Sequence, residues 1–207
     1  MLFFDLDGTL IDSAVGISRC VAHAQRERGE PEPADTALRA WIGPPLRDSF
    51  GPLLGDAVRT ERAVELYRER FEDVGWREHA VYPGIADALS ALAADGRRLL
   101  VVTAKNEPHA RRIVAHLPFA HVFEDVVGAT EDGTLSHKHE LIAEALRRTG
   151  TPASAATMIG DRHFDIDGAR RHDMASVGVL WGFGDADELR HAHRLVATPE
   201  DLVAVLA

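Results

Sequence analysis

Cysteine is almost absent: Cys20 is the only one in 207 residues, so no intrachain disulfide can form. That suits a reducing compartment. Long apolar runs are missing too, since no stretch approaches the roughly 20 apolar residues that a membrane span requires. The first residues also lack the basic region and apolar core of a signal peptide, which makes the cytoplasm the expected location. Positive charge is in deficit, with 23 Lys and Arg against 33 Asp and Glu and a formal net charge of -10. Polyanions and anionic lipid need a basic surface to displace counterions, so neither a nucleic-acid polymer nor a membrane is an expected partner. There is no internal repeat or low-complexity tract.

What is present is ordinary soluble usage, with 45% hydrophobic and 27% charged residues. The length suits one sizeable core with a smaller accessory domain. The opening apolar run reads as a short buried strand over 2–7, and Gly8 permits a sharp exit from it. From Ser13 to about Ala80 the periodicity becomes helical. Val15, Ile17, Val21 and Ala22 form one stripe, and Val64, Leu66, Tyr67 and Phe71 form another. Pro31 and Pro33 break the first helix, and Gly43-Pro44-Pro45 breaks the segment again before Leu46.

After Pro83-Gly84, helices and strands alternate. Strands are expected at 99–103, 122–128, 157–160, 176–180 and 195–197, with helices near 85–94, 108–116, 138–148, 165–172 and 200–206. Such alternation predicts an α/β fold, a doubly wound parallel sheet that binds ligands beyond the carboxyl ends of its strands. The expected division is a core of 1–13 and 81–207 carrying a helical domain, 14–80, inserted after the first strand.

Asp5 and Asp7 sit two apart at the end of the first strand, so an extended backbone would project both to one side. Two facing carboxylates repel each other, which favours a divalent cation with hard oxygen ligands, magnesium being the natural candidate. Alone, an Asp-x-Asp-Gly string is equally well a solvated turn. Other element ends shift that balance: Thr103 closes an apolar strand, Lys138 opens a helix, and Asp161 and Asp165 follow the strand at 157–160.

In this order, Asp5-Leu6-Asp7-Gly8-Thr9, Thr103, Lys138 and Gly160-Asp161-Arg162-His163-Phe164-Asp165 resemble the four motifs of the haloacid dehalogenase superfamily of phosphohydrolases. Ile42-Gly43-Pro44-Pro45-Leu46, Tyr82-Pro83-Gly84-Ile85, Thr103-Ala104-Lys105 and Gly182-Phe183-Gly184 are similar to its phosphoglycolate phosphatase and 5′-nucleotidase branch. The resemblance implies a magnesium-dependent phosphatase acting on a small phosphorylated metabolite. Asp5 would be the nucleophile that forms an aspartyl-phosphate, and Asp7 the general acid and base. Thr103 and the Ala104 amide would bind a phosphoryl oxygen, and Lys138 would offset the charge of phosphate and Asp5.

Asp5, Asp161 and the backbone carbonyl of Asp7 would ligate the metal, with Asp165 acting through water or orienting Lys138. Gly8 and Thr9 would shape the aspartate loop beside the phosphate. The insertion resembles a cap that closes over the site, whose loop would bring Arg47 to the substrate; Lys105 would contact substrate or the closed cap. Cys20 reads as a small helix residue rather than a nucleophile. The His137/His139 and His191/His193 pairs diverge by about 200° on a helix, so no zinc is assigned. A 5′-nucleotidase is the alternative substrate reading. A phosphomutase, a 2-haloacid dehalogenase and a catalytically silent binding module are weaker, and a monomer and a homodimer are equally compatible.

Overall fold

Leu2-Phe3-Phe4 is apolar on both faces, which suits a strand covered on both sides. In the computed structural model, which describes residues 1–31 and 41–206, this run is β1 (Leu2–Phe4) and every residue in it is buried. The other strands are β2 (Ile11–Asp12), β3 (Ala80–Val81), β4 (Leu99–Asn106), β5 (Phe123–Ala129), β6 (Thr157–Gly160), β7 (Ala175–Val179) and β8 (Arg194–Val196). β2 and β3 pair with each other. The remaining six form one sheet in the order β5-β4-β1-β6-β7-β8, with every adjacent pair parallel.

That order runs outward from β1 in one direction and then resumes beside it with β6. It is the doubly wound arrangement expected from the alternation. The point where the winding reverses lies between β1 and β6, and there the carboxyl ends leave a crevice.

The helices are α1 (Ala14–Glu27), α2 (Leu46–Leu54), α3 (Ala57–Asp73), α4 (Ile85–Ala94), α5 (Glu107–Val114), α6 (Lys138–Thr149), α7 (His163–Arg170) and α8 (Pro199–Leu206). By contacts the chain divides into two compact units, Met1–Asp12 with Val81–Ala207, and Ser13–Ala80.

In the first unit, one side of the sheet buries Phe3, Leu100, Val102, Val127 and Met158 beneath Leu141, Ile142 and Ala145 of α6 and Ala169 of α7. Truncating a fully buried leucine here should cost about 2–5 kcal/mol. α6 and α7 approach closely at Gly168, where an added Cβ would lie 3.0 Å from the Lys138 side chain.

In the second unit, α1 packs on α3, and α3 on α2. The buried face of α1 is Ile17, Cys20, Val21 and Ala24, a stripe spaced 3, 4 and 7 residues from its first member. Val15, expected in that stripe, is 53% exposed, and Ala22 is only half-buried, because the face is rotated toward Cys20. Cys20 is therefore a core residue. The stripe Val64, Leu66, Tyr67 and Phe71 is buried as expected. α1 ends at Glu27, before Pro31; Pro33 lies outside the described residues.

Candidate active site

β1 ends at Phe4, and the chain turns at once: the Leu6 carbonyl accepts from the N–H groups of Leu10 and Ile11 at 3.0 and 3.1 Å. Asp5 and Asp7 are thus placed by a turn and not by the pleat of an extended strand, the condition on which their same-side projection rested. The Asp5 N–H donates to the Ile159 carbonyl at 2.9 Å, tying this turn to β6 across the reversal of winding.

Lys138 is the first residue of α6 and is buried. The start of α6 is fixed by Glu140, whose carboxylate accepts from the Ser136 and His137 N–H groups at 3.2 and 3.1 Å. From there the ammonium donates to Asp5 Oδ1 at 2.7 Å and to the Val102 carbonyl at 3.0 Å. It also lies 2.7 Å from Asp165 Oδ1, in ion-pair rather than hydrogen-bond geometry. Asp165, at the third position of α7, turns Oδ2 back to the Arg162 N–H at 3.2 Å. It is at once a helix cap and a site carboxylate.

Asp161 follows β6 and is fully buried. Its Oδ1 accepts the Thr9 hydroxyl at 3.0 Å, and its Oδ2 the Phe183 N–H at 2.8 Å. Thr9 therefore joins the loop after β1 to the residue after β6. Glycines make the room: a Cβ on Gly8, which has φ +93°, would lie 2.2 Å from Asp161 Oδ2. One on Gly182 would lie 2.4 Å from the Asp161 Cβ, and one on Gly184 2.1 Å from its carbonyl oxygen. Gly160 does the same for Asp165, with its Cβ position 2.2 Å from that residue's Cγ. The support from Gly160, Gly184 and the Phe183 amide was not assigned from sequence. Its traces there are Gly160 at the head of the fourth motif and the string Gly182-Phe183-Gly184.

Electrostatics follow from burial. Burial pushes the Asp5 carboxyl up to about 6 against the pull of Lys138, with Asp165 and Asp7 adding to the rise. Asp161 is held well above the ordinary carboxylate range by burial and then by the Asp5 and Asp165 charges, while the Phe183 N–H and Thr9 hydroxyl oppose it. For Lys138, burial works to lower its value, and the Asp165 and Asp5 charges outweigh burial and raise it.

Asp5, Asp161 and Asp165 each offer a carboxylate oxygen within 4.8 Å of the others. Three buried carboxylates set against one shared ammonium leave an excess of two negative charges when all are ionised. A divalent cation offsets that excess, and hard carboxylate oxygens are the ligands such a cation takes. The residues present therefore fit a divalent metal. Asp7 is outside this triangle; its Oδ2 lies 3.0 Å from Lys105 Nζ.

Thr103 is buried in β4, and its hydroxyl accepts the Lys105 N–H at 3.2 Å; Ala104 is half-buried beside it. Arg47 belongs to the other compact unit, where its guanidinium grips Glu61 in a bidentate pair at 2.7 and 2.8 Å. Among the described residues, no helix is long and apolar enough to cross a membrane.

A family model for haloacid dehalogenase-like hydrolases matches residues 2–179. The chain is 43% identical over 205 residues to a 5′-nucleotidase of Pseudomonas aeruginosa, covering 99% of this chain and 92% of that one. It is 37% identical over 199 residues to the tyrosine-protein kinase PtkA of Mycobacterium tuberculosis, covering 96% and 68%. It is 30% identical over 183 residues to a phosphoglycolate phosphatase of Aquifex aeolicus, covering 88% and 85%. Among solved structures, a predicted phosphatase from Clostridium acetobutylicum superimposes with a TM-score of 0.95 at 35% identity, covering 99% of this chain and 96% of that one. With the ordered motifs, the sheet order and a match spanning most of its length, the chain belongs to the haloacid dehalogenase-like hydrolase family.

Proposed function

We propose that this protein is a magnesium-dependent phosphatase that hydrolyses a small phosphate monoester through an aspartyl-phosphate on Asp5. One observation carries the reading: a buried Asp5 shares Lys138 with Asp165 and faces Asp161 at the winding reversal of the sheet. An isolated buried carboxylate would be costly, and this one is surrounded by the groups that phosphoryl transfer requires.

Asp5 attacks phosphorus, the bond to the leaving oxygen breaks, and Asp7 supplies the proton that oxygen takes up. Water then attacks the phosphoryl-aspartate, Asp7 receives its proton, and the Asp5 carboxylate is released with inorganic phosphate. The Thr103 hydroxyl, the Ala104 amide and the turn at Gly8 and Thr9 bind phosphoryl oxygens, and Lys138 offsets the charge that Asp5 and phosphate bring together. Magnesium, held by Asp5, Asp161, Asp165 and the Asp7 carbonyl, would supply positive charge to the transferring group.

Residues 14–80 act in this reading as the cap that excludes water and selects the substrate, with Arg47 as its candidate contact. Likeness to the Aquifex aeolicus protein supports a phosphoglycolate-type ester. Likeness to the Pseudomonas aeruginosa protein supports a nucleoside monophosphate as the second reading.

The test is phosphate release by the purified protein from a panel that includes phosphoglycolate, nucleoside monophosphates and p-nitrophenyl phosphate, with and without magnesium. Metal-dependent release is expected, and ranking by kcat/KM selects the substrate class. Folded protein that releases phosphate from none of them, or that moves phosphate from ATP to tyrosine instead, would overturn the reading.

A further inference from the structure

β4 does not run evenly beside β5. Thr103 pairs with Gly128, whereas Asn106 pairs with Ala129, so the intervening Ala104 and Lys105 bulge out of the ladder. Bulges of this kind re-aim side chains at strand ends.

Here the bulge is held in place twice. The Thr103 hydroxyl accepts the Lys105 N–H at 3.2 Å, and Gly128 makes room on the neighbouring strand, where an added Cβ would lie 2.7 Å from the Lys105 carbonyl oxygen. The outcome is a half-buried lysine whose side chain is only 8% exposed and whose ammonium lies 3.0 Å from Oδ2 of an Asp7 side chain that is 9% exposed. The other oxygen, Asp7 Oδ1, is buried and has no hydrogen-bond partner among the described residues. A buried carboxylate oxygen left without a donor is costly unless a reacting group fills the place.

We propose that Lys105 is a positioning residue for Asp7: the β4 bulge delivers its ammonium to Oδ2, which fixes the carboxyl plane and leaves Oδ1 as the oxygen that exchanges a proton with the reacting groups. This rests on the phosphatase reading above, in which Asp7 is the proton donor and acceptor. In the first step the P–O bond to the leaving group breaks, its electron pair stays on the leaving oxygen, and the proton moves from Oδ1 to that oxygen. In the second, Oδ1 takes a proton from the attacking water as the P–O bond to Asp5 breaks. Lys105 itself gives up no proton.

The test is the dependence of kcat/KM, which reports the step in which the leaving group departs, on the leaving group across substituted phenyl phosphates from p-nitrophenyl to phenyl, with magnesium present. A well-placed donor makes the rate nearly indifferent to leaving-group basicity, and a misplaced one makes it fall as the leaving group becomes more basic. Wild type should give a shallow slope and Asp7→Ala a steep one. Lys105→Met should also be steep, losing about 100-fold on phenyl phosphate, much less on p-nitrophenyl phosphate, and little in KM. Lys105→Gln, which keeps an N–H donor for Oδ2, should recover a shallow slope, and its slope carries the test alone if Lys105→Met does not fold. A steep slope for Lys105→Gln, or a wild-type slope with raised KM for Lys105→Met, would overturn the inference. A shallow slope for Asp7→Ala would instead refute the role of Asp7 on which it rests.

Discussion

Gly8→Ala tests whether the aspartate loop and Asp161 are built around each other. The new Cβ would lie 2.2, 2.5 and 2.6 Å from three atoms of the Asp161 carboxylate, so that group has to withdraw by on the order of 1 Å to reach ordinary contact. A left-handed backbone, here φ +93°, costs a further ~1–2 kcal/mol for any residue with a Cβ. Withdrawal also disrupts the bonds from the Thr9 hydroxyl and the Phe183 N–H, each worth roughly 1.5–3 kcal/mol to a charged acceptor.

Partial loss of both bonds with the backbone strain gives a destabilisation of about 3–5 kcal/mol. Misplacing the carboxylate proposed to hold the metal by ~1 Å should lower turnover at least 100-fold. Gly96→Ala is the control, because Gly96 has φ +76° with nothing within 4 Å of its Cβ position. It should cost only the backbone term of ~1–2 kcal/mol and keep full activity. Urea unfolding and p-nitrophenyl phosphate turnover over a magnesium titration measure both quantities. Wild-type metal dependence in a folded Gly8→Ala protein, or equal losses in the two variants, would show that the aspartate loop and Asp161 are not built around each other.

Lys138→Met removes the cation shared by Asp5 and Asp165 and strands two buried carboxylates, so it should cost about 3–5 kcal/mol and lower Tm by on the order of 10 °C. Its turnover should fall about 1000-fold, and a loss under tenfold in kcat would contradict the place given to Lys138. Because Asp5 is raised to about 6 and Asp161 well above the ordinary range, the metal-free site holds protons below about pH 6 that a cation must expel. Magnesium affinity should therefore weaken about tenfold or more from pH 7.5 to 5.5. Calorimetry in buffers of different ionisation enthalpy should show proton release near pH 6; a pH-independent affinity would contradict the electrostatics. Arg47→Ala should raise KM for the best natural ester while leaving p-nitrophenyl phosphate kinetics within about twofold, as a specificity contact would. An equal loss on both substrates would assign Arg47 to the integrity of its Glu61 pair instead.

The fold was legible because buried parallel strands and amphipathic helices leave opposite signatures. Leu99 to Val102 is uniformly apolar and lies beside β1 in the sheet, whereas Val64, Leu66, Tyr67 and Phe71 repeat at helical spacing and line a buried face. Val15 lies outside the buried face of α1, and hydrophobicity alone does not show which edge of a stripe meets its neighbour. Asp5, Lys138, Asp161 and Asp165 stood out because each sits at an element end, where a doubly wound sheet gathers functional groups.

The rest depended on distances no spacing rule contains. That Thr9 reaches Asp161 across 152 residues, and that Lys105 meets Asp7 through a bulge in β4, follow from the register of strands far apart in sequence. The glycines around Asp161 carry a further lesson. Gly182 and Gly184 stand in the sequence only as part of a family-like string, yet the space they leave is occupied by the carboxylate and backbone of another loop.

If Asp5 is the nucleophile, it becomes phosphorylated during turnover. Protein mixed with its best phosphate ester and magnesium, quenched in acid within the first turnover, and digested for mass spectrometry should carry one phosphoryl group on the peptide containing Asp5. Borohydride reduction of the same sample should convert that residue to homoserine, and Asp5→Asn should show neither change. Turnover with no phosphoryl group at Asp5 at any quench time, or a phosphoryl group on another residue that turns over at the catalytic rate, would rule out Asp5 as the nucleophile.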